Sequence, residues 1–536
     1  MFVFNSSYVL SYFSKPAVLA CLGGDFLTQF LFFKVGGAVV ITLLLVTEWW
    51  LIFLTLKRFS IKTQHTTSSK AMLYVVALLP VIVEWISLPN YLFSLDLSVS
   101  FIITLSTFLL YTKTERKVSI ITGILLIPVL YILAGASVFL FFILVVLYDI
   151  HCGRRRYIYL VVLLGVVMSL PVLIRHAYLL TLKQAYFYPY PTIMQGLSPV
   201  TLAMIILLFV CFRSLKLKIL KPSVTFFVLV SFLMTGLIKT TDNDQENLFG
   251  MFIEASHGNW DQVLSIAEKA ELSIPIATNY TNIALSHKSL LGEQLMDFYK
   301  PLTNGVKRLP PIYNVIDIIA TNDLYFHIGD MDMAQRTALV GMISTPWKRS
   351  ARLVERLVDI NLSMDDMPAA NKYIRMLEST LFHRIKIENG SPKSAQRREP
   401  VIFRENLIRK ENNILEALEL LVESNTDNLP AVNYLLSSYL INRDIFSFFK
   451  AYTAYCKEKT NHVPKVYAEA LMIYFTETNT MDKVTEYGIH PEIIRSFNEY
   501  NLLYEQSTGN LTFMFQKYPN SYWPYYQSAA RKRANN

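Results

Sequence analysis

The sequence predicts an all-α protein in which a polytopic transmembrane helix bundle is followed by an extracytoplasmic α-solenoid. Long apolar runs fill the first 240 residues, the same stretch holds six of the 41 acidic residues, and the remainder alternates short amphipathic helices with turns. The mean hydropathy of +0.34 is high for a soluble chain of 536 residues. We therefore divide the chain into an outward-facing amphipathic or re-entrant segment at 1–35, a transmembrane domain at 36–238 and a helical-repeat domain at 239–536.

A spanning helix needs about 20 mostly apolar residues. The runs that fit single helices are 36–56, 71–93, 97–111, 157–174, 199–212 and 222–238. The run at 118–150 is too long for one ordinary span, and the small residues at 134–137 are expected to divide it into a tight hairpin of two short helices. The transmembrane domain is thus predicted to contain about eight helices.

Charge patterning predicts the sidedness. Basic clusters fall in every second loop, at 57–70, 113–117, 154–156 and 213–221, which makes those loops cytoplasmic. The alternate loops face outward, and the same alternation places both the segment 1–35 and the domain 239–536 outside. An outward segment with no preceding span is unusual, so we expect one more helix upstream.

The net charge of +9 does not indicate nucleic-acid binding. Residues 1–240 carry 19 basic and six acidic side chains, whereas the rest carry 31 basic and 35 acidic ones. The basic excess therefore belongs to membrane-flanking loops. The predicted partner of this region is the lipid bilayer, and no nucleic-acid partner is expected.

No cofactor or metal is predicted. Cys21, Cys152, Cys211 and Cys456 show no CxxC or Cys/His spacing, so neither a zinc site nor a disulfide framework is indicated. The N-terminus has no basic region ahead of an apolar core and a small-residue cleavage site, so a removable signal peptide is not expected.

Beyond residue 239 the sequence predicts pairs of short helices. The expected pairs are 246–256 with 260–270, 275–287 with 293–299, 323–329 with 333–343, 349–362 with 368–381, and 430–441 with 445–455. Their turns resemble those of tetratricopeptide repeats, whose period is ~34 residues. Such an array is expected to bury each pair only against its neighbours and to leave a concave groove. The polar stretch 388–400 is predicted to be a loop that divides the array.

Three motifs carry a resemblance to a family. Residues 26–30 (FLTQF), 282–296 and 380–384 (TLFHR) resemble an uncharacterised family of multi-spanning integral membrane proteins from Bacteroidales-type bacteria. The resemblance covers most of the chain and implies a bacterial inner (cytoplasmic) membrane location without an assigned activity. A more distant likeness is to multi-spanning glycosyltransferases that use polyprenyl-phosphate sugars. Those enzymes commonly show a paired acidic motif in the first outward loop, where this sequence has Asp25 alone.

If the protein is such a transferase, Asp25 and Glu84 are the candidate catalytic residues, since a carboxylate is needed as base toward an acceptor hydroxyl. Gly23-Gly24 would let the backbone approach a ligand closely. The candidate substrate-binding residues, which would hold a lipid phosphate or stack on a sugar, are Arg175, His176, Lys183 and Tyr188. Span-ending anchors and an aromatic belt are the structural alternatives for these four residues.

Two further acidic residues are given no catalytic role. Glu48 lies inside the first apolar run, next to Trp49. A carboxylate there is a functional candidate because it is costly to bury, and structural placement is the interpretation adopted for it. Interface anchoring is the alternative to a functional role for Glu84. Asp96 is assigned to an outer loop.

The first predicted function is binding of a protein or peptide partner of the cell envelope by the outward helical repeat, because no nucleophile, metal or phosphate-loop motif competes with that groove. The alternative is the polyprenyl-phosphate-dependent glycosyltransferase with Asp25 as base. A transporter is third, since Pro80, Pro128 and Pro171 interrupt spans, although no repeated halves are visible. The sequence leaves open whether the protein is an enzyme.

Overall fold

The described part of the chain is helical. The computed structural model describes residues 2–59, 67–88, 93–115, 118–153, 157–189, 222–240, 243–270, 275–298, 315–345, 350–383, 387–388, 391–392, 414–458 and 462–534. Within these residues one antiparallel pair of two-residue strands, β1 (Ile387–Glu388) and β2 (Ser391–Pro392), is the exception. The all-α class is therefore confirmed. The strand pair lies at the start of the predicted dividing loop, and residues 393–413 lie outside the described part.

The chain forms two compact units. Unit 1 comprises Met1–Asp242 and Glu378–Arg384, and unit 2 comprises Asn243–Leu377 and Ile385–Asn536. The α-helices of unit 1 are α1 (Ser6–Ser11), α2 (Val18–Thr28), α3 (Lys34–Phe59), α4 (Thr67–Ser87), α5 (Leu95–Tyr111), α6 (Val118–Ala134), α7 (Val138–His151), α8 (Tyr157–Ile174), α9 (Leu182–Phe187) and α10 (Pro222–Thr240). Short 3-10 helices lie at Tyr12–Ser14, Gln29–Phe32 and Gly135–Ser137.

Unit 1 contains the apolar helices. Among the described residues, three stretches are long and apolar enough to cross a membrane, namely Val35–Phe59, Val118–His151 and Tyr157–Ile174. Shorter apolar helices lie at Val18–Phe32, Leu73–Ser87, Leu95–Tyr111 and Phe226–Ile238. This composition indicates membrane association. The count of about eight spans stays a prediction, and the predicted span at 199–212 lies outside the described residues.

The long run Val118–His151 is a hairpin rather than one straight helix. Ser100 of α5 donates a hydrogen bond to the carbonyl of Ala134, at the end of α6, and contacts the hydroxyl of Ser137, just before α7, at 2.6 and 2.8 Å. Near the other end of α5, the ring of Phe108 lies 6.0 Å from that of Tyr148 in α7. Because both helices meet the start of α5 at the turn, α6 runs antiparallel to α5 and α7 runs parallel to it.

The N-terminal segment packs on this bundle by close helix contact. Helix α2 lies against α5 and α6. The rings of Phe30 and Phe33 lie 5.7 and 5.0 Å from that of Phe382, which belongs to the same unit. Two of the motifs that carried the family resemblance, at 26–30 and 380–384, are therefore in contact.

Unit 2 is built from paired helices. Its α-helices are α11 (Asn243–Ser256), α12 (Trp260–Ala270), α13 (Pro275–His287), α14 (Leu291–Phe298), α15 (Val315–Ile328), α16 (Met331–Ser344), α17 (Ala351–Ser363), α18 (Met367–Glu378), α19 (Ile414–Ser424), α20 (Leu429–Asn442), α21 (Ile445–Tyr455), α22 (Lys465–Glu477), α23 (Pro491–Gln506), α24 (Leu511–Lys517) and α25 (Tyr522–Ala534). A 3-10 helix lies at Met481–Tyr487. The predicted pairs correspond to α11 with α12, α13 with α14, α15 with α16, α17 with α18, and α20 with α21.

The packing of unit 2 is not restricted to sequence neighbours. Helix α14 packs on α22, where the carboxylate of Glu293 accepts a hydrogen bond from the backbone N–H of Lys465 at 2.9 Å. A Cβ at Gly292 would lie 2.9 Å from the ring of Tyr467, so glycine permits this close approach. One buried apolar cluster extends from Leu248 to Tyr525. The expectation that each pair buries its face only against its neighbours is therefore wrong for this hairpin.

A buried ionic cluster joins three helices of unit 2. Asp323 of α15 is paired with Arg352 and Arg356 of α17 at 2.5 and 2.9 Å. The hydroxyl of Tyr280 in α13 donates to the same carboxylate at 2.9 Å. Burial opposes ionisation of Asp323, but the two guanidinium groups outweigh it and lower the pKa of this carboxyl. Both carboxylate oxygens of Asp323 therefore have charged or hydrogen-bonding partners, as a buried carboxylate requires.

Candidate functional site: an acidic pair on neighbouring helices

Asp25 is held by a tyrosine hydroxyl. It lies on α2 and accepts a hydrogen bond from the Oη of Tyr12 at 2.5 Å, and that oxygen lies 2.6 Å from the Oη of Tyr8. Both tyrosines are buried, whereas Asp25 is half-buried. Burial raises the pKa of Asp25, and the hydrogen bond from Tyr12 opposes that rise. Asp25 is therefore an oriented, partly accessible carboxyl group, as a general base must be.

A second carboxyl group, that of Asp96 on α5, lies near enough to Asp25 to feel its charge. Asp96 is not in an outer loop, as the sequence indicated, but lies buried in the first turn of α5, after the N-capping residue Ser94. Burial first, and then the negative charge of Asp25, raise the pKa of Asp96 to about 8. The pKa values of both carboxyl groups are thus raised by burial, and the charge of Asp25 adds to the rise at Asp96.

The glycines before Asp25 bring the two helices together. A Cβ at Gly24 would lie 2.5 Å from the backbone nitrogen of Asp96 and 2.7 Å from its Cα, and a Cβ at Gly23 would lie 3.1 Å from Val99. Real Cβ atoms do not approach backbone atoms so closely, so a larger residue at Gly24 would separate α2 from α5. These glycines therefore serve helix packing, which replaces the interpretation that they admit a ligand.

Tyr188 belongs to the same cluster. Its side chain contacts the thiol of Cys21 on α2, and the thiol also contacts Asp96. The backbone carbonyl of Tyr188 accepts a hydrogen bond at 2.7 Å from the N–H of Ala136, in the α6–α7 turn. The ammonium of Lys15 lies 5.9 Å from the centre of the Tyr188 ring. The structure thus brings together two of the predicted site residues, Asp25 and Tyr188, and adds Asp96 and Lys15.

The other predicted site residues lie elsewhere in unit 1. Glu84 is buried in α4, beside Glu48 of α3, and accepts a hydrogen bond from Ser98. Arg175 is half-buried just after α8, while His176 and Lys183 are exposed. Among the described contacts, none joins these residues to Asp25. The carboxyl group near Asp25 is that of Asp96, whereas Glu84 lies beside Glu48.

Sequence reasoning missed Asp96 because its importance depends on tertiary packing. Ser94 and Asp96 form an N-terminal helix signal, which is a local feature and explains a helix start equally well. The proximity to Asp25 arises across 71 positions of sequence through the Gly24 contact. In the part of the chain that the structure describes, no group of three or more His, Cys, Asp or Glu side chains is arranged to hold a metal ion.

These features define an all-helical protein with candidate membrane-spanning helices, in which the half-buried Asp25 is held by Tyr12 and lies near the buried Asp96. The chain belongs to DUF6057, a family of unknown function whose family model matches residues 1–529. The prediction that the chain belongs to an uncharacterised family is therefore confirmed. No curated protein and no solved structure matches the sequence.

Proposed function

We propose that the protein is a membrane glycosyltransferase that moves a sugar from a polyprenyl phosphate to an acceptor hydroxyl, with Asp25 as general base. The observation that supports this proposal is the Asp25–Asp96 pair. Residues 1–35 contain a single acidic residue, and Asp96 supplies the second carboxyl group from another helix. The multi-spanning transferases that the sequence distantly resembles commonly carry such a pair.

The chemistry follows from the positions of the side chains. The carboxylate of Asp25 takes the proton of the acceptor hydroxyl, whose oxygen forms a bond to the anomeric carbon of the sugar. The bond from that carbon to the phosphate oxygen breaks, and the polyprenyl phosphate leaves with the electron pair. Tyr12 orients the base through its 2.5 Å hydrogen bond. Lys15 is the cation beside the cluster that would stabilise the phosphate, and Tyr188 offers a ring for the sugar.

The proposal includes a location. The alternation of basic loops supports a position of Asp25 and Asp96 at the outer surface of a bacterial inner membrane, where lipid-linked sugars would meet extracytoplasmic acceptors. The outward position of unit 2 is part of the same proposal.

The test is release of polyprenyl phosphate by the full-length protein in liposomes. A polyprenyl-phosphate sugar is supplied with serine-containing peptides as acceptors, and the freed lipid phosphate is measured by mass spectrometry. Asp25→Asn keeps the shape of the side chain and should lower the rate by about 100-fold or more. Glu115→Gln, a substitution of an exposed acid just after α5, is the matched control and should leave the rate unchanged. Equal rates for wild type and Asp25→Asn would eliminate Asp25 as the base.

Partner binding by unit 2 is the second candidate function. It is favoured by an apolar face on α16, where Leu339, Val340 and Ile343 are exposed and lie on one side of the helix. A deletion strain complemented with Asp25→Asn or with a Leu339→Ser/Ile343→Ser variant separates the two candidates. Rescue by Asp25→Asn combined with failure of the α16 variant would favour partner binding over transfer.

A further inference from the structure

Two carboxyl groups face each other inside the apolar part of unit 1. Glu48 lies near the middle of α3 and Glu84 lies on α4, and their exposed fractions are 0% and 4%. The two groups are close enough to interact directly. The hydroxyl of Ser98, on α5, donates a hydrogen bond to Glu84. Among the described residues, neither carboxyl oxygen of Glu48 has a hydrogen-bond partner.

No described cation balances this pair. Helix α5, which packs on α3, contributes Asp96 and Tyr111 as its titratable residues, and Asp96 lies against α2 instead. Helix α10, which packs on α4, has no titratable residue before Lys239, and the 3-10 helix Gln29–Phe32 has none. Lys57 of α3 is nine positions beyond Glu48, or ~14 Å along the helix axis.

On α4 itself, Tyr74 is stacked on Phe53 at 4.1 Å between ring centres. A carboxylate without a partner in an apolar interior costs several kcal/mol, and a second adjacent anion adds repulsion. The least costly state of such a pair is one in which a proton is bound between the two groups, as in other carboxyl dyads.

We propose that Glu48 and Glu84 form a proton-binding site between α3 and α4. One proton is shared by the two carboxyl groups, and the Ser98 hydroxyl stabilises the charge that remains on Glu84. Transfer within the pair breaks an O–H bond on one carboxyl group and forms one on the other. Release of the proton leaves two anions whose repulsion favours separation of α3 from α4, so proton binding is coupled to the packing of these helices. This site is independent of the proposed glycosyl transfer.

Infrared difference spectroscopy of the full-length protein in liposomes tests the proposal. Wild type should show the carbonyl stretching band of a protonated carboxylic acid, which shifts in D₂O and disappears as the pH rises. Because Asp96 and Glu469 also have raised pKa values, Glu48→Gln and Glu84→Gln should each remove one component of the band rather than all of it. Glu115→Gln should leave every component in place. Ser98→Ala removes the hydrogen bond to Glu84, so the frequency of the band should change.

Two results would overturn the proposal. One is a spectrum in which no carboxylic-acid band depends on either glutamate. The other is a band that neither titrates nor exchanges with deuterium, which would describe a permanently neutral structural pair. A second measurement uses the unsubstituted protein and so does not depend on whether the variants fold. Dicyclohexylcarbodiimide reacts with protonated carboxyl groups in apolar surroundings, and it should modify Glu48 or Glu84 less at higher pH. Peptide mass spectrometry measures the extent of modification. Modification of neither residue at any pH would also count against the site.

Discussion

Gly24 packs directly against Asp96, so that a methyl group at Gly24 would lie 2.7 Å from the Cα of Asp96. This contact limits the separation of α2 and α5 and places Asp96 beside the residue that precedes Asp25. The candidate site thus depends on a residue that has no side chain.

Gly24→Ala should therefore destabilise the protein by about 1–3 kcal/mol, because the added carbon has no space to occupy. It should also lower any activity that needs the acidic pair. Thermal unfolding in detergent measures the first effect. Gly165→Ala is the matched control: it lies inside α8, where a Cβ would meet no atom within 4 Å. Equal melting temperatures for the two variants would show that α2 and α5 are not in tight contact.

Tyr12→Phe should change the pH dependence of the proposed transfer. Its hydroxyl stabilises the charged form of Asp25, so its removal should raise the pKa of Asp25 further. The loss of rate on the acidic side should then begin at higher pH than in wild type. Tyr8→Phe retains the hydrogen bond to Asp25 and should give a smaller shift. Identical pH–rate profiles for wild type and Tyr12→Phe would contradict the assigned role of Tyr12.

Asp323→Ala should destabilise unit 2 by about 3 kcal/mol, because it leaves two half-buried guanidinium groups without their anion. Asp261→Ala is the comparison, since Asp261 forms a 2.8 Å ion pair with Lys288 at the surface and should cost at most about 1 kcal/mol. Chemical denaturation followed by circular dichroism measures both changes. Because the pKa of Asp323 is lowered in the fold, its contribution is present above the unfolded-state pKa and is lost as the pH falls.

Glu469 should make the stability of unit 2 depend on pH in the opposite sense. Burial raises the pKa of this carboxyl to about 7, although it accepts hydrogen bonds from the N–H of Tyr522 at 2.6 Å and from the hydroxyl of Ser521. The stabilisation is present below the unfolded-state pKa and is lost as the pH rises through about 7.

Glu469→Gln should consequently flatten the dependence of melting temperature on pH between about 4 and 8. Exposed Glu477→Gln should leave the slope as it is in wild type. A slope that Glu469→Gln does not alter would assign the pH dependence to other groups.

The proposed sidedness can be tested with topology reporters. A reporter that is active only outside the cytoplasm should be active when fused after Asn536 and inactive when fused after Arg156, since the basic loops alternate. The reverse pattern would invert the topology and place unit 2 in the cytoplasm.

Local patterns predicted the helical class and the hairpin. The apolar run at 118–150 exceeds one span, and Gly135 adopts a positive φ of 68°, which suits a turn that glycine makes without strain. Asp25 was identifiable because it is the acidic residue of the segment 1–35.

The sequence did not predict contacts between distant segments. Glu293 meets Lys465 across 172 positions, and Asp96 meets the Gly24 turn of α2 through packing that no short pattern encodes. The position of Arg175 and His176 at the end of an apolar run predicts their depth in a membrane but not the side of the helix on which they lie.

The chain passes between its two units three times, at 242–243, 377–378 and 384–385, because the short piece Glu378–Arg384 belongs to unit 1. Neither unit is therefore formed by one continuous stretch of the chain. A fragment that starts after Asp242 would carry Phe382 without its aromatic neighbours Phe30 and Phe33. Exchange of residues 243–536 as one cassette would therefore also replace Glu378–Arg384, a piece of unit 1.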